Sequence, residues 1–575
     1  MKNRIGRTYR NAFVTAVYIR SSSMMAGFID GILTSVFLGV DAMTAYTIAT
    51  PYFILNSTLS YLLDTGNQIL CSEKIGQGRT DEAKSVFSTT VWISFLLSAL
   101  VSVAGVVYSE SFAAFLGAKG EAAYLMPETA GYLRALFTGN VFYNFLSVSM
   151  GPLQMDGGTG IVRISGITTC ALNIIGDLLN VFLFRGGLIG MGIATSISYV
   201  GGAAVLLLYY SGSGRLFSLR PSIRFEYIPQ LFRLGYSQTV YALAAFFGNK
   251  LINSLIISGA GMEAMFGVAV FKNIALFSNT ICCAVGDTTL LLIGLYTGEC
   301  DRTSVNQVFR SSLWVITSMV PVCCLLAAVS RPLALFYTAD HAADVLRCAQ
   351  IAILAISIQI PFSALFLATL KGLQAFKKSA ISSLLNLVKG CVFPCIFLLV
   401  FGKGNVGVFV SLVGAEVLSA LLSSVLFLRE KRQNGLLKIS EKNMICAEIR
   451  TAEQAVAFSS EAGAFCANRG ISSRLCFSVS LCAEELAICL LNHGKEYRIA
   501  DPIVNMKMIL TDEQIILRIC DNCPLNDLRR RAEEWTLNDE TPYKFIGTRM
   551  ALMLSDEFRY AQIMKQNNTI IGFHK

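Results

Sequence analysis

The chain has 575 residues, is 54% hydrophobic with a mean hydropathy of +0.57, and carries a formal net charge of +9. That is too apolar for an ordinary soluble protein and points to a polytopic membrane protein, because a bilayer core about 30 Å thick takes roughly 20 apolar residues per helix. The positive charge follows the loops and calls for no nucleic-acid partner.

About twelve segments are long enough to cross a bilayer: roughly 13–39, 44–70, 87–108, 131–153, 161–184, 187–210, 236–258, 264–292, 309–329, 345–370, 376–401 and 404–428. The first is preceded by basic residues (Lys2, Arg4, Arg7, Arg10), but it holds Asp30 and lacks a small-residue cleavage site, so it reads as a retained helix. Lysine and arginine gather at the N-terminus and in the loops after the even-numbered segments. The positive-inside rule then expects a multi-pass protein of the cell membrane with both termini in the cytoplasm.

The hydrophobic part is duplicated. Gly76 to Trp92 (GQGRTDEAKSVFSTTVW) and Gly298 to Trp314 (GECDRTSVNQVFRSSLW) follow equivalent apolar stretches, and a shift of 222 residues lays Gly76 on Gly298, Val86-Phe87 on Val308-Phe309 and Trp92 on Trp314. Six helices per copy make the repeat parallel, with a solute path between the halves. The expected division is a first six-helix lobe (1–210), a basic inter-lobe loop (211–235), a second six-helix lobe (236–430), a linker (431–442) and a polar tail (443–575).

The tail alternates helix and strand patterns. Ala452 to Asn468 and Ser478 to Leu491 read as helices, and Val504 to Leu510 with Gln514 to Cys520 as a hairpin. Gly547 to Phe558 reads as a helix and Thr569 to Phe573 as a last strand. The fold class is therefore an all-α membrane part followed by a cytoplasmic α+β domain. The 17 cysteines are scattered, which fits free thiols on the cytoplasmic side. Cys520 to Cys523 forms a CxxC, but neither a second CxxC nor a paired histidine accompanies it, so no zinc or redox site is expected.

Ionisable groups at membrane depth are costly and mark function by default. Asp30 lies in the middle of segment 1 and Asp177 in the middle of segment 5. Asn173, four residues before Asp177, shares its helix face, and Thr195 in segment 6 supplies a hydroxyl. Such an oxygen set suits a proton or a sodium ion; the plainer alternative is hydrogen bonding across the bundle. Asp64 is expected at the interface or in helix packing. The second lobe holds Lys250, Lys272 and Lys389 with Asp287 and Glu416, which can pair, line a path for an anionic group or snorkel to the interface.

These residues carry a resemblance. Asp30, the loop Glu73-Lys74-Ile75-Gly76-Gln77-Gly78 with Ala83, Asn173-Ile174-Ile175-Gly176-Asp177 and the small-residue helix Gly187 to Tyr199 resemble the MATE (multidrug and toxic compound extrusion) transporters over about residues 10–430. The resemblance implies two lobes, exchange of H+ or Na+ for small amphipathic organic molecules, and a cation site at Asp30, Asn173, Asp177 and Thr195. Segments 7 and 10 lack the mid-helix acid of some sodium-coupled members, which points to coupling in the first lobe. The superfamily also holds lipid-linked saccharide flippases, for which the three lysines would suit a pyrophosphate.

The tail resembles the GHKL-type ATPase domain of anti-sigma-factor and histidine kinases. Glu484-Glu485-Leu486 through His493-Gly494, Ile519 to Pro524 and Gly547-Thr548-Arg549-Met550 carry that likeness. It implies an ATP and magnesium site at Glu485, Asn492, Asp521 and Gly547. However, Cys489 stands where the family has its metal-binding asparagine, a thiol poorly suited to magnesium, and Asn492 is three residues further on. No enzymatic activity and no tightly bound cofactor is expected. A regulatory or protein-binding module with a cytoplasmic partner is, and so is its variant, a membrane sensor signalling through the tail. There is no GxxxxGK[ST] loop for a nucleotide-driven pump.

Overall fold

The computed structural model describes residues 2–575 except 213–215, 221, 300, 339–342, 434–442, 500, 511–513, 525–545 and 564–565. Among the described residues, twelve long helices form the membrane part. The first lobe holds α1 (Lys2–Leu33), α2 (Pro51–Gly76), α3 (Thr80–Val107), α4 (Met126–Met155), α5 (Thr159–Leu179) and α6 (Gly187–Tyr210). The second holds α7 (Tyr227–Ala260), α8 (Ala264–Gly298), α9 (Arg302–Ala328), α10 (Ala343–Ala375), α11 (Ser379–Leu387, continuing to Phe401) and α12 (Gly404–Gln433). Helical backbone runs unbroken from Tyr227 to Gly298. Both ends of that run reach α2, Gly235 resting on Leu62 and Gly294 on Ser72, so the run doubles back on itself.

Eleven described helices are long and apolar enough to cross a membrane, and one of these lies in the tail: α14 (Ser473–Glu496), whose apolar side covers a sheet. The more polar α2 and α4 complete the twelve. Their polarity has a structural cause. Asn56, Ser60, Asn140 and Asn144 are hydrogen-bonded to one another between these helices, with Ser60 Oγ donating to Asn144 Oδ1 at 2.8 Å.

The apolar cores show which end is closed. One cluster joins both lobes at the end that bears the termini, from Leu63, Ile69 and Leu70 on α2 through Leu290 to Leu295 on α8 to Phe427 on α12. At the other end each lobe has its own core, one around Leu133 and Leu188, the other around Ile256 and Phe409. The duplicated turns meet at the closed end. A Cβ on Gly76 would stand 2.9 Å from Gly298 Cα, so only glycine lets the two turns approach this closely.

The tail is a five-stranded antiparallel sheet in the order β1-β2-β3-β5-β4 (β1 Met444–Ile449, β2 Val504–Leu510, β3 Gln514–Asp521, β4 Glu557–Ile563, β5 Gln566–His574). Helices α13 (Ala452–Ala467), α14 and α15 (Ile546–Leu554) bury one face of it, over Met506, Met508, Leu517, Ile519 and Ile571. The hairpin and the last strand fall where their alternation places them. Strands β1 and β4 are additional, and Phe558, which extends the helical pattern from Leu554 by one turn, lies in β4 instead. The other face of the sheet rests on the closed end of the membrane part. Lys507 pairs with Asp301, and Arg518 Nη1 lies 3.5 Å from Glu299.

Candidate cation site and central cavity

Helix α1 brings Asp30 into the first lobe between Gly27 and Gly31, and α5 brings Asn173 and Asp177 one helical turn apart on one face. Helix α6 lies close against α5, since a Cβ on Gly176 would stand 2.8 Å from that of Ala194. This contact sets Thr195 beside Asn173, whose Nδ2 donates to Thr195 Oγ1 at 3.2 Å, while Thr195 Oγ1 donates to Met191 O at 3.0 Å. Both acid-bearing helices turn into a π-helical segment just beyond the acid, Thr34–Leu38 after α1 and Asn180–Phe184 after α5. Such segments loosen backbone pairing and recur at functional positions.

The structure thus brings together all four first-lobe residues expected from the sequence. Asp30 is 7% exposed, Asn173 2%, Asp177 0% and Thr195 6%. The Asp30 and Asp177 carboxyl groups are close neighbours, with Asn173 beside Asp30. Even so, Asp30 Oδ1, Asn173 Oδ1 and both Asp177 carboxylate oxygens make no hydrogen bond of acceptable geometry. The ion pairs among the described residues include neither acid. Two buried carboxyls side by side with unsatisfied oxygens are expensive in this form; a shared proton or a small hard cation removes the cost. The residues present fit either ion.

The site opens on a cavity of about 600 Å³, lined chiefly by α1, α2, α4, α5 and α6, with α8 as the wall from the other lobe. Its surface mixes apolar and aromatic groups (Phe53, Tyr143, Leu146, Tyr199) with polar ones from Asn56 to Gln154. At the closed end the cavity meets a cluster that the sequence reading missed. Arg20 Nη2 on α1 lies 2.7 Å from Asp287 Oδ2 on α8, and Nη1 donates to Tyr61 Oη at 2.9 Å, so an ion pair ties the lobes together at the cavity floor. Asp64 lines the same cavity, both its oxygens accepting from Gln68 Nε2 at 3.0 Å within the same helix. Arg20 sits about three turns after the basic N-terminus, where a sequence offers no sign that it faces inward.

The second-lobe lysines divide. Lys389, in a π-helical segment of α11 (Val388–Val392), lies 2.6 Å from Glu416 Oε1 and 4.3 Å from the Phe366 ring centre; the same carboxylate oxygen accepts from Ser363 Oγ at 2.7 Å. This is a closed ion pair. Lys272 Nζ donates to Asn253 Oδ1 at 3.3 Å on an exposed face, and the Lys250 side chain lies outside the described residues.

In the tail, Glu485 lies against Gly547 at the start of α15, which unites two of the four expected positions. Asp521 is 3% exposed, and its Oδ1 accepts from Cys523 N and Asn567 Nδ2, both at 2.8 Å. Asn492 is exposed. Cys489 Sγ, at the position where the resemblance expects a metal-binding asparagine, accepts from Thr548 Oγ1 at 3.5 Å; a thiol is a soft ligand, poorly matched to magnesium. Part of the stretch from Asp521 to Arg529, where the resemblance expects a nucleotide lid, lies outside the described residues.

Comparison with known proteins bears on the fold of the membrane part. Residues 19–182 match the MatE family model. The membrane part has the MATE fold. An outward-facing multidrug-resistance MATE family transporter of the MOP superfamily superposes with a TM-score of 0.69 at 18% identity, covering 75% of this chain and 96% of that one. A MOP superfamily transporter from Pyrococcus furiosus, described as having a binding pocket of reversed polarity, gives 0.68 at 18% identity over 76% of this chain and 97% of that one. In sequence the chain is 23% identical over 413 residues to the multidrug export protein MepA of Staphylococcus aureus, 69% of this chain and 89% of that protein. The MepA of Staphylococcus saprophyticus is 22% identical over 415 residues.

Proposed function

We propose that the protein is a secondary active exporter of small amphipathic organic molecules, driven by cation entry at Asp30 and Asp177. Supporting this reading above all is the pair of neighbouring buried carboxyls with unsatisfied oxygens, opening on a cavity between two lobes that share a core at one end only. A proton or sodium ion at the acid pair favours one arrangement of the first lobe, and the organic substrate favours the other. Exchange follows because each ligand binds the two states unequally. Positive-inside bias puts the closed end and the tail in the cytoplasm, so the cavity of this state opens outward. The MepA relatives, named as multidrug export proteins, support the direction and the substrate class.

The tail is read as a degenerate GHKL-like module without ATPase activity. Supporting this is Cys489 in the metal-ligand position and the engagement of Asp521 in its own turn.

Inside-out vesicles carrying the full chain, given a proton or a sodium gradient and a panel of fluorescent organic cations, test the exporter. Wild type is expected to accumulate dye under one of the two gradients, and Asp177→Asn under neither. Full transport by Asp177→Asn would remove the acid pair from the mechanism.

A further inference from the structure

One row of residues crosses four strands of the tail sheet on the face opposite its helices. Lys507 on β2 stands directly opposite Arg518 on β3, Arg518 opposite Ile570 on β5, and Ile570 opposite Arg559 on β4. Like charges facing each other across a ladder destabilise a sheet. Yet Lys507 and Arg518 are both 5% exposed, which for two neighbouring cations requires a countercharge from elsewhere.

The membrane part supplies it, and from both lobes at once. Asp301, 1% exposed, caps α9 of the second lobe by accepting from Ser304 N at 3.0 Å, and pairs with Lys507. Glu299, also of the second lobe, lies 3.5 Å from Arg518 Nη1, while Arg518 Nη2 donates to Gly76 O of the first lobe at 2.8 Å. Arg559 Nη1 donates to Gln77 O at 3.3 Å, and Ile570 covers Gly78. Gly76-Gln77 and Gly298-Glu299 are the same turn in the two copies of the repeat. Arg518 therefore holds both copies at the seam between the lobes.

We propose that the tail is a clamp on the transport cycle: docked as here, it holds the duplicated turns together, and the lobes part at this end only after the Lys507, Arg518 and Arg559 row lets go. Opening at this end carries Gly76 away from Glu299, and a single guanidinium cannot follow both. Two further inter-lobe ties, Glu73 to Lys377 at 2.5 Å and Arg20 to Asp287, lie on the membrane side of the clamp and are not part of it. The clamp rests on the exporter reading only in that the lobes separate at this end during the cycle.

The test is a distance measurement on the full chain in liposomes, with genetically encoded spin labels replacing Asp81 and Asn306, two exposed positions beside the two turns. The double reversal Lys507→Glu with Arg518→Glu is expected to shift the distance distribution to longer separations. Glu299→Lys, which turns the membrane-side countercharge of Arg518 into a like charge and leaves the tail's own residues intact, is expected to lengthen it too, and this separates undocking from a tail that has failed to fold. Distributions unchanged by the reversal overturn the clamp, as does a Glu299→Lys variant that keeps the short distance. Gradient-driven dye uptake by wild-type liposomes reports on the exporter reading separately: a failed clamp with uptake intact leaves that reading standing, and a working clamp without uptake does the converse.

Discussion

The two lobes share an architecture and treat their buried charges in opposite ways. In the first, Asp30 and Asp177 are neighbours with unsatisfied oxygens and, among the described residues, no ion-pair partner. In the second, Glu416 is matched by Lys389 and held further by Ser363. Both lobes set the charged group beside a π-helical segment, after α5 in one and within α11 in the other, so the backbone device is common and only the charge balance differs. A lobe whose carboxylate is already neutralised has no need of an incoming cation. A lobe with an unbalanced acid pair does, and under the exporter reading proposed above the coupling work falls to the first.

The most severe test of that contrast is a double dissociation. Asp177→Asn removes a buried acid beside another acid, so the protein should insert and unfold thermally no earlier than wild type while gradient-driven export falls to the level of empty vesicles. Glu416→Ala should do the reverse. It leaves the Lys389 ammonium, 20% exposed, without its carboxylate, at a cost below the roughly 3–5 kcal/mol of a fully buried pair, and the loss should appear in thermal unfolding in detergent. The double variant Lys389→Met with Glu416→Leu should recover that stability and retain export. If it exports nothing, the second lobe contributes to coupling and the contrast fails.

A smaller effect is expected where the lobes meet. Arg20 and Asp287 retain 30% and 24% side-chain exposure in the cavity, so Arg20→Gln should cost no more than about 1 kcal/mol of stability. Its larger consequence is conformational: the distance between the two duplicated turns should stay short while the tail is docked, and should broaden beyond that of the Lys507→Glu with Arg518→Glu reversal when Arg20→Gln is added to it. A combined variant no broader than the reversal alone would mean that Arg20 is no tie between the lobes.

How much of this the chain disclosed depended on whether the information was local. Asp30 and the Asn173/Asp177 pair were legible because a carboxyl at membrane depth is costly and a four-residue spacing fixes a shared face. The duplicated turn was legible as a repeat, and the helical lobes as runs of apolar residues. The Lys389–Glu416 pair was only one option among several, because its members sit on different helices 27 residues apart and no local pattern joins them. Arg20 was hidden among the basic residues of the N-terminus. Strand β4 was hidden by Phe558, whose four-residue spacing from Leu554 imitates one more helical turn. The docked face of the tail was invisible for a similar reason: Lys507 and Arg518 look like the ordinary polar half of an alternating strand, and only the membrane turns against them make them buried cations.

The tail contact and the acid pair should also part company in their response to pH. Burial alone would push the Asp301 carboxyl up, but the Lys507 ammonium beside it, with Ser304 and Thr303 donating, outweighs burial and holds it down to about 2. A carboxyl depressed from its ordinary value near ~3.9 contributes stability that is fully present above that value and is lost as pH falls through the depressed one, a contribution on the order of 2–3 kcal/mol here. The Lys507–Asp301 contact should therefore keep its full strength from pH 8 down to about 5 and weaken only below about 4. The distance between the two duplicated turns, followed by the same pair of spin labels in liposomes over that range, should stay constant in wild type to about pH 5. Asp301→Asn should show a longer distance already at pH 7. A wild-type distance that lengthens between pH 8 and 5 would place the pH-sensitive step of docking on some group other than Asp301, and would weaken the claim that this buried pair is what fastens the tail to the second lobe.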